Sequence, residues 1–185
     1  IEAAATKPFG FMPFYPGPGL GGHCIPIDPF YLSWKARASG FEARFIELAG
    51  YINGQMPEHV VDLAVRALNG RRRAVRGSRV LVLGVAYKAD IDDLRESPSL
   101  DIMKTLADRG ARVEYSDPHV PALDFFGRRM KSTPLTPARL GRFDCVVVAT
   151  AHKAFPWSMV LRHAKAIVDS RNAFKGRRSK KIIRL

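Results

Sequence analysis

The sequence predicts an α/β protein in which a helical segment precedes a small, doubly wound parallel sheet. Two observations carry this prediction. Residues 29–70 place apolar side chains at helical spacing, and beyond a basic stretch at 71–77 short apolar runs alternate with helical patterns. Strands that alternate with helices pair in parallel through right-handed crossovers. We therefore divide the chain into a loop (1–28), a helical segment (29–70), a basic linker (71–77) and an α/β domain (78–185).

The helical segment is predicted to open at Asp28-Pro29, because Asp suits an N-cap and Pro suits the first helical turn. Three helices follow in the prediction, over residues 30–39, about 42–53 and 57–69, with two of them nearly continuous. In the α/β domain we predict strands over 79–84, 111–116, 143–150 and 166–169 and helices over 97–109 and 156–163.

Composition indicates a folded protein with 46% hydrophobic and 10% aromatic residues among its 185. The sequence contains no run of 18 apolar residues, so it predicts no transmembrane helix. We also expect no membrane partner. Two cysteines are too few for a disulfide framework. This low number fits a cytoplasmic protein, which is our expectation. No Cys/His spacing predicts a metal site. The first residues lack a start Met and a signal peptide, so we expect a piece of a longer protein.

The formal net charge of +13 is densest at Arg71–Arg73 and Arg177–Lys181. It has three possible explanations: a nucleic-acid surface, a solvated linker and tail, or contact with a small anionic ligand. No basic helix with base-reading polar residues is visible. We favour the solvated linker and tail, and expect no nucleic-acid partner.

The most informative stretch is Pro16-Gly-Pro-Gly-Leu-Gly-Gly-His-Cys24-Ile-Pro-Ile-Asp28. Its glycines allow main-chain N–H groups to approach a ligand, and its prolines stiffen the loop. A helix N-terminus next to Cys24 would favour the thiolate, the nucleophilic form. Asp28 would then position water or move a proton. Two alternatives stay open: Cys24 is a small buried residue, and Asp28 only caps the helix. Cys145, inside an apolar run, is predicted to lie in the core.

Three side chains fall just after predicted strands, namely Tyr87, Lys88 and Arg171. Ligands of parallel sheets bind at the carboxyl ends of the strands, so this edge suits a base with phosphates. The alternative is that Lys88 is a solvated loop residue. The turn after the first strand has one glycine, Gly84, where a dinucleotide fingerprint needs three, so we exclude a dinucleotide site there.

The Cys24 stretch resembles the catalytic loop of the UDP-glucose/GDP-mannose dehydrogenase family, which comprises NAD-dependent nucleotide-sugar 6-dehydrogenases. Gly84-Val-Ala-Tyr-Lys-Ala-Asp-Ile-Asp-Asp-Leu-Arg-Glu-Ser-Pro98 resembles a second family motif, and Val168-Asp-Ser-Arg-Asn172 a third, weaker one. The loop is most similar to bacterial enzymes that oxidise UDP-N-acetylhexosamines, especially UDP-N-acetylglucosamine.

The resemblance implies roles for single residues. Cys24 would be the nucleophile and Asp28 the base or water-positioning group, while Arg95 would reach the cofactor phosphates. The residues implied to bind substrate are Tyr15, Pro16, Gly17, Pro18, Gly19, Leu20, Gly21, Tyr87, Lys88 and Arg171.

The resemblance also implies an architecture. Residues 78–185 would be the Rossmann-like UDP-binding domain, and residues 29–70 the segment that forms a homodimer. The NAD-binding domain that comes first in the family would be absent, so we expect this chain to be inactive alone. The implied reaction oxidises the sugar C6 alcohol to a carboxylate in two steps, through a Cys24 thiohemiacetal and thioester. UDP-N-acetylglucosamine is the expected substrate, with UDP-glucose or UDP-N-acetylmannosamine as alternatives, and the expected pathway is polysaccharide biosynthesis.

Overall fold

The computed structural model describes residues 1–185. A short 3-10 turn at Ala4–Thr6 precedes the main elements. The helices are α1 (Cys24–Ala38), α2 (Arg44–Asn69), α3 (Pro98–Asp108), α4 (Pro137–Leu140) and α5 (Trp157–His163). The strands are β1 (Arg79–Leu83), β2 (Arg112–Ser116), β3 (Ala122–Phe125), β4 (Arg128–Lys131), β5 (Cys145–Val148), β6 (Ile167–Asp169) and β7 (Ile182–Arg184). None of the helices is long and apolar enough to cross a bilayer.

Five strands form one parallel sheet in the order β2-β1-β5-β6-β7. Alternate side chains of β1 point to opposite faces: Val80 and Val82 join one apolar core, Leu81 and Leu83 the other. Helices α2 and α3 cover the first face, and the second core includes Leu140 of α4 and Val160 of α5. A parallel sheet with both faces covered confirms the predicted doubly wound α/β fold.

The second half of α2 is part of the sheet's core. Val60, Val61, Ala64 and Leu68 are fully buried in the same cluster as Val80. The end of the predicted helical segment thus packs as part of the α/β domain. The basic residues 71–77 follow this packed part of the helix in the chain.

Helix α2 is one continuous helix where the sequence predicted two nearly continuous ones. Pro57 lies inside it and is buried. A proline at this position removes the N–H that would bond the carbonyl of Asn53. That carbonyl faces Gly19, whose ideal Cβ would lie 3.3 Å from its oxygen. Packing against the sheet on one side and the loop on the other compensates for the lost bond.

The predicted start of the first helix was wrong. Helix α1 begins at Cys24, with His23 in the N-cap position, so Asp28 lies inside the helix and does not cap it. The reason is positional: Pro26 falls among the first N–H positions, which have no helical partner in any case. Only Pro29, one turn later, costs a helical hydrogen bond.

The sequence analysis missed four further elements. β3 and β4 form an antiparallel hairpin, α4 is a single turn, and β7 adds a fifth strand to the sheet. β7 directly follows Arg177–Lys181, which we assigned to a solvated tail. The chain after Lys181 is therefore part of the sheet and not a free tail.

Candidate functional site

The loop before Cys24 is packed against the α/β domain. The N–H of Gly22 donates to the carbonyl of Arg95 at 2.9 Å. A Cβ at Gly21 would lie 2.6 Å from Cβ of Tyr87 and 2.7 Å from the carbonyl oxygen of Glu96. Real Cβ atoms do not approach this closely, so glycine is required at this contact.

Two more glycines of the loop also lie against neighbouring parts of the chain, in contacts less strict than that of Gly21. A Cβ at Gly17 would lie 2.6 Å from Nη1 of Arg171, and one at Gly19 would lie 3.1 Å from Cβ of Pro98. Pro18, between them, is buried. The sequence explained these glycines by approach to a ligand, whereas in the structure they admit neighbouring parts of the chain.

Cys24 occupies the first position of α1, and its side chain is exposed. Exposure excludes the alternative in which Cys24 is a small buried residue. The thiol therefore lies at the end of α1 where the backbone dipole is positive. Asp28 is also exposed, and at four residues' distance it shares a helix face with Cys24.

The backbone of Arg95 contacts the loop two residues before this cysteine, at Gly22. The side chain of Arg95 forms an exposed, two-pronged ion pair with Asp93, with Nε 3.1 Å from Oδ1 and Nη2 2.7 Å from Oδ2. The hydrogen bonds to Asp93 raise the pKa of Arg95, and nearby Tyr87 and Cys24 add to this rise. The same hydrogen bonds lower the pKa of Asp93. The structure therefore brings Cys24, Tyr87 and Arg95 together.

Tyr87 and Lys88 lie on the loop after β1. The N–H of Tyr87 donates to the carbonyl of Asp93 at 3.0 Å, and the ring of Tyr87 covers Gly22. Lys88 is exposed and forms no hydrogen bond or ion pair. Its ammonium group is free to meet an anion at the carboxyl edge of the sheet.

A buried pair missed by the sequence analysis supports this loop. Asp117 follows β2 and His152 follows β5; neither side chain is exposed. Oδ2 of Asp117 accepts from the N–H of Val85 at 2.7 Å and lies 3.0 Å from Nε2 of His152. Nδ1 of His152 accepts from the N–H of Asp90 at 2.9 Å. The pair therefore ties together the loop segments on both sides of Tyr87 and Lys88.

These bonds also decide whether a metal fits. Asp90, His119 and His152 offer ligand atoms within 4.8 Å of one another. Both ring nitrogens of His152 already have partners, one an N–H donor and the other a carboxylate. Coordination by His152 would break one of these bonds, so the cluster does not make a metal site.

Arg171 follows β6 and is half-buried, with Nε donating to the carbonyl of Ala149 at 2.9 Å. Burial lowers the pKa of its guanidinium. It lines a cleft of about 520 Å³ together with Tyr15 and Pro16 of the loop. Lys175 and Arg184 add two cations to the lining, and Asp169 adds a carboxylate.

The remaining loop residues lie elsewhere. Gly19 and Leu20 line a separate groove of about 480 Å³ between α1 and α2, which contains neither Arg171 nor Lys88. The structure thus groups Tyr15, Pro16 and Gly17 with Arg171, and Gly21 with Tyr87. Leu20 belongs to neither group.

Comparison with known proteins identifies the family. The model of the UDP-glucose/GDP-mannose dehydrogenase family's UDP binding domain matches residues 81–176, and the model of its central domain matches residues 1–55. The chain belongs to this family. The predicted resemblance is confirmed.

Individual relatives agree with this assignment. The chain is 38% identical over 155 residues to a UDP-N-acetyl-D-glucosamine 6-dehydrogenase from Pseudomonas aeruginosa, covering 84% of this chain and 36% of the relative. It is 35% identical over 142 residues to a UDP-N-acetyl-D-mannosamine dehydrogenase from Methanococcus maripaludis, covering 76% of this chain and 30% of the relative.

Among solved structures, a UDP-D-ManNAc dehydrogenase from Pyrococcus horikoshii superimposes with a TM-score of 0.79 at 28% identity. The match covers all of this chain and 42% of that one. The chain spans about a third of the length of the curated relatives that it matches.

Proposed function

We propose that this chain is the substrate-binding and catalytic-cysteine part of an NAD-dependent UDP-sugar 6-dehydrogenase. The observation that carries the proposal is the placement of Cys24: an exposed thiol at a helix N-terminus, on a loop bonded to Arg95 and packed against Tyr87 and Arg171. A nucleophile on the same loop as Tyr15 and Pro16, which line the cleft of Arg171, suits a substrate with one reacting carbon and a diphosphate.

Arg171, Tyr87 and Lys88 would bind the uridine diphosphate half of the substrate. Tyr15 and Pro16 line the same cleft as Arg171, so the loop would close over the substrate there. Lys88 would meet the phosphates as a point charge, since no carboxylate of the chain neutralises it. Gly17 would shape this cavity through its contact with Arg171, and Gly21 would hold the loop against Tyr87. Pro18, Gly19 and Leu20 would act on the substrate only through the path of the loop.

Cys24 and Asp28 would act on the sugar C6 atom. Once the alcohol has become an aldehyde, the thiolate of Cys24 would add to the carbonyl carbon and form a thiohemiacetal. A second oxidation makes this a thioester, and water then breaks the carbon–sulfur bond and releases the carboxylate and the thiol. Asp28 would accept the proton of that water. The thiol thus holds the aldehyde and provides a leaving group.

The described residues do not fit a complete NAD site. Gly84 follows β1 without a second or third glycine, and a Cβ there would lie 2.3 Å from the carbonyl oxygen of Thr150. This glycine therefore serves packing and not a pyrophosphate. Arg95 is the one residue that the resemblance assigns to a cofactor phosphate. NAD, the hydride acceptor of both oxidations, would therefore be bound mainly by residues outside this chain, and the chain alone would be inactive.

We propose UDP-N-acetylglucosamine as the substrate, because the Pseudomonas relative that acts on it shares 38% identity. UDP-N-acetylmannosamine is the second candidate, supported by the Methanococcus and Pyrococcus relatives. UDP-glucose is a third candidate, and polysaccharide biosynthesis remains the proposed pathway.

We also propose a homodimer through the helical segment. All exposed large apolar side chains lie in residues 9–52 except those of Ile1, Phe126 and Leu185. Phe45 is 88% exposed and Trp34 69%. An apolar surface of this extent needs a partner, and a second copy would cover it.

Calorimetric titration of UDP into the 185-residue chain tests the proposed binding site. We expect saturable UDP binding that Lys88→Ala weakens by about ten-fold, because one charge-assisted contact to phosphate is lost. Lys131→Ala, an exposed lysine of the hairpin, is the matched control and should bind as the parent chain does. Absence of UDP binding, or equal loss in both variants, would contradict the proposal.

A further inference from the structure

A second basic cleft lies at the opposite edge of the sheet from the proposed UDP site. It has a volume of about 250 Å³, and five cationic side chains line it: Arg66, Arg71, Lys165, Lys180 and Lys181. Lys165 lies just before β6 and Lys181 just before β7, whereas Arg171 follows β6. Because the strands are parallel, the body of the sheet separates the two clefts.

The positive charge of this second cleft is almost uncompensated. The only carboxylate paired with any of the five is Asp144, whose Oδ1 lies 3.2 Å from Nζ of Lys165. Lys181 donates to the carbonyl of Arg162 at 3.0 Å, and Arg71 donates to the carbonyl of Lys165 at 3.2 Å. These bonds orient two of the cations without neutralising them.

Arg66 and Lys180 have neither hydrogen-bond nor ion-pair partners for their side chains. Like charges that converge in a concave space repel one another unless an anion lies between them. The C-terminus of α2 borders the cleft, and its dipole would oppose an anion with about half a charge. This half charge is small compared with the charge of five cations. The N–H groups of Gly70 and Arg71 also cap carbonyls in the last turn of α2.

We propose that this cleft binds a small anion with more than one phosphate group, at a site separate from the substrate site. The cations reach it from α2, from the turn before β6 and from the approach to β7, so they would surround an anion on several sides. Both charge types suit phosphate: lysine as a point charge and arginine through its fork. No aromatic residue lines the cleft, so the phosphates and not a base would be recognised.

Calorimetric titration of inorganic pyrophosphate at low salt, with UDP present in excess to occupy the substrate cleft, tests the site. We expect Arg66→Glu combined with Lys180→Glu to weaken pyrophosphate binding by about ten-fold or more. Arg129→Glu combined with Lys131→Glu on the hairpin is the matched control, because it makes the same charge change at exposed residues without ion-pair partners. The control should bind pyrophosphate within about two-fold of the parent chain.

Circular dichroism would establish that both double variants stay folded; if the glutamate pair does not, Arg66→Ala with Lys180→Ala replaces it. Equal affinity for pyrophosphate in all three proteins would overturn the proposal. So would a parent chain that ignores pyrophosphate but binds duplex DNA with a steep salt dependence, because the cleft would then belong to a nucleic-acid surface.

Discussion

Nε2 of His152 lies 3.0 Å from Oδ2 of Asp117, and both side chains are completely buried where β2 and β5 end. The two residues come from different loops, and each also accepts a backbone N–H from the loop that carries Tyr87 and Lys88. The conformation of the proposed nucleotide-binding loop thus depends on a pair that would not touch the nucleotide.

Asp117→Asn should lower the free energy of unfolding by about 1–3 kcal/mol, because an amide cannot accept bonds at both ends. Oδ1 accepts from the N–H of His119 and Oδ2 from that of Val85, so the new NH₂ group would face a donor either way. Urea denaturation measures the loss. Asp108→Asn, which breaks only an exposed pair with Lys104, should cost less than about 0.5 kcal/mol. Similar costs for both variants would contradict the assigned role.

The same carboxylate should make the fold sensitive to acid. Burial opposes ionisation of Asp117, but hydrogen bonds from His152 and the backbone outweigh it, so its pKa in the folded chain is lowered. A lowered folded pKa contributes stability that is present above the unfolded value, about 3.9, and is lost as the pH falls through the folded one. Urea midpoints should therefore drop below about pH 4. Asp117→Asn should show a shallower drop, and an unchanged one would contradict this account.

The two cysteines should differ in reactivity. Burial raises the pKa of the Cys145 thiol to about 12, whereas Cys24 is exposed. Brief treatment of the folded chain with iodoacetamide should add one group, on Cys24, and treatment in denaturant should add two. Mass spectrometry of peptides locates the label. Cys24→Ser should take up none when folded; labelling of Cys145 in that variant would show that its core opens.

Gly21→Ala should destabilise the chain by about 1–3 kcal/mol, since the new Cβ would overlap Tyr87 and the backbone of Glu96. Gly54→Ala is the matched control. It lies inside α2 with nothing within 4 Å of its ideal Cβ, and alanine should stabilise the helix by about 0.5–1 kcal/mol. Thermal unfolding of both variants should show shifts of opposite sign. A tolerated Gly21→Ala would mean that the loop does not pack on Tyr87 as described.

Trp34→Glu combined with Phe45→Glu should convert the proposed dimer to a monomer, because two charges would enter an apolar interface. Size-exclusion chromatography with light scattering gives the mass. Phe126→Glu, on the hairpin and 70% exposed, should leave the dimer intact. A parent chain that is monomeric at every concentration would contradict the proposed dimer. Another part of the protein would then have to cover this apolar surface.

Strands β1, β2, β5 and β6 were predicted to within two residues at most of their ends, because short buried runs of Val, Leu and Ile stand out beside helical patterns. The hairpin did not stand out. β4 reads Arg-Arg-Met-Lys, and the turn uses Phe126 at a φ of 49°, a conformation that non-glycine residues seldom adopt. No local pattern predicts such a turn.

Asp117 and His152 were missed for a different reason: they are 35 residues apart, and no spacing rule joins them. The signal was nevertheless present, since both are polar residues just after buried strands. The same rule selected Tyr87, Lys88 and Arg171. We applied this rule only to cationic and aromatic side chains, which suit a ligand. We did not apply it to polar side chains such as Asp117 and His152, which support the loops.

The continuity of α2 bears on where this chain can be cut. The linker at 71–77 looks like a convenient boundary, but a piece that starts there would lack Val60, Val61, Ala64 and Leu68, and α3 alone would remain on that face of the sheet. The shortest piece that keeps the sheet covered must therefore begin upstream of Pro57. Such a piece includes the part of α2 that contacts the loop before Cys24.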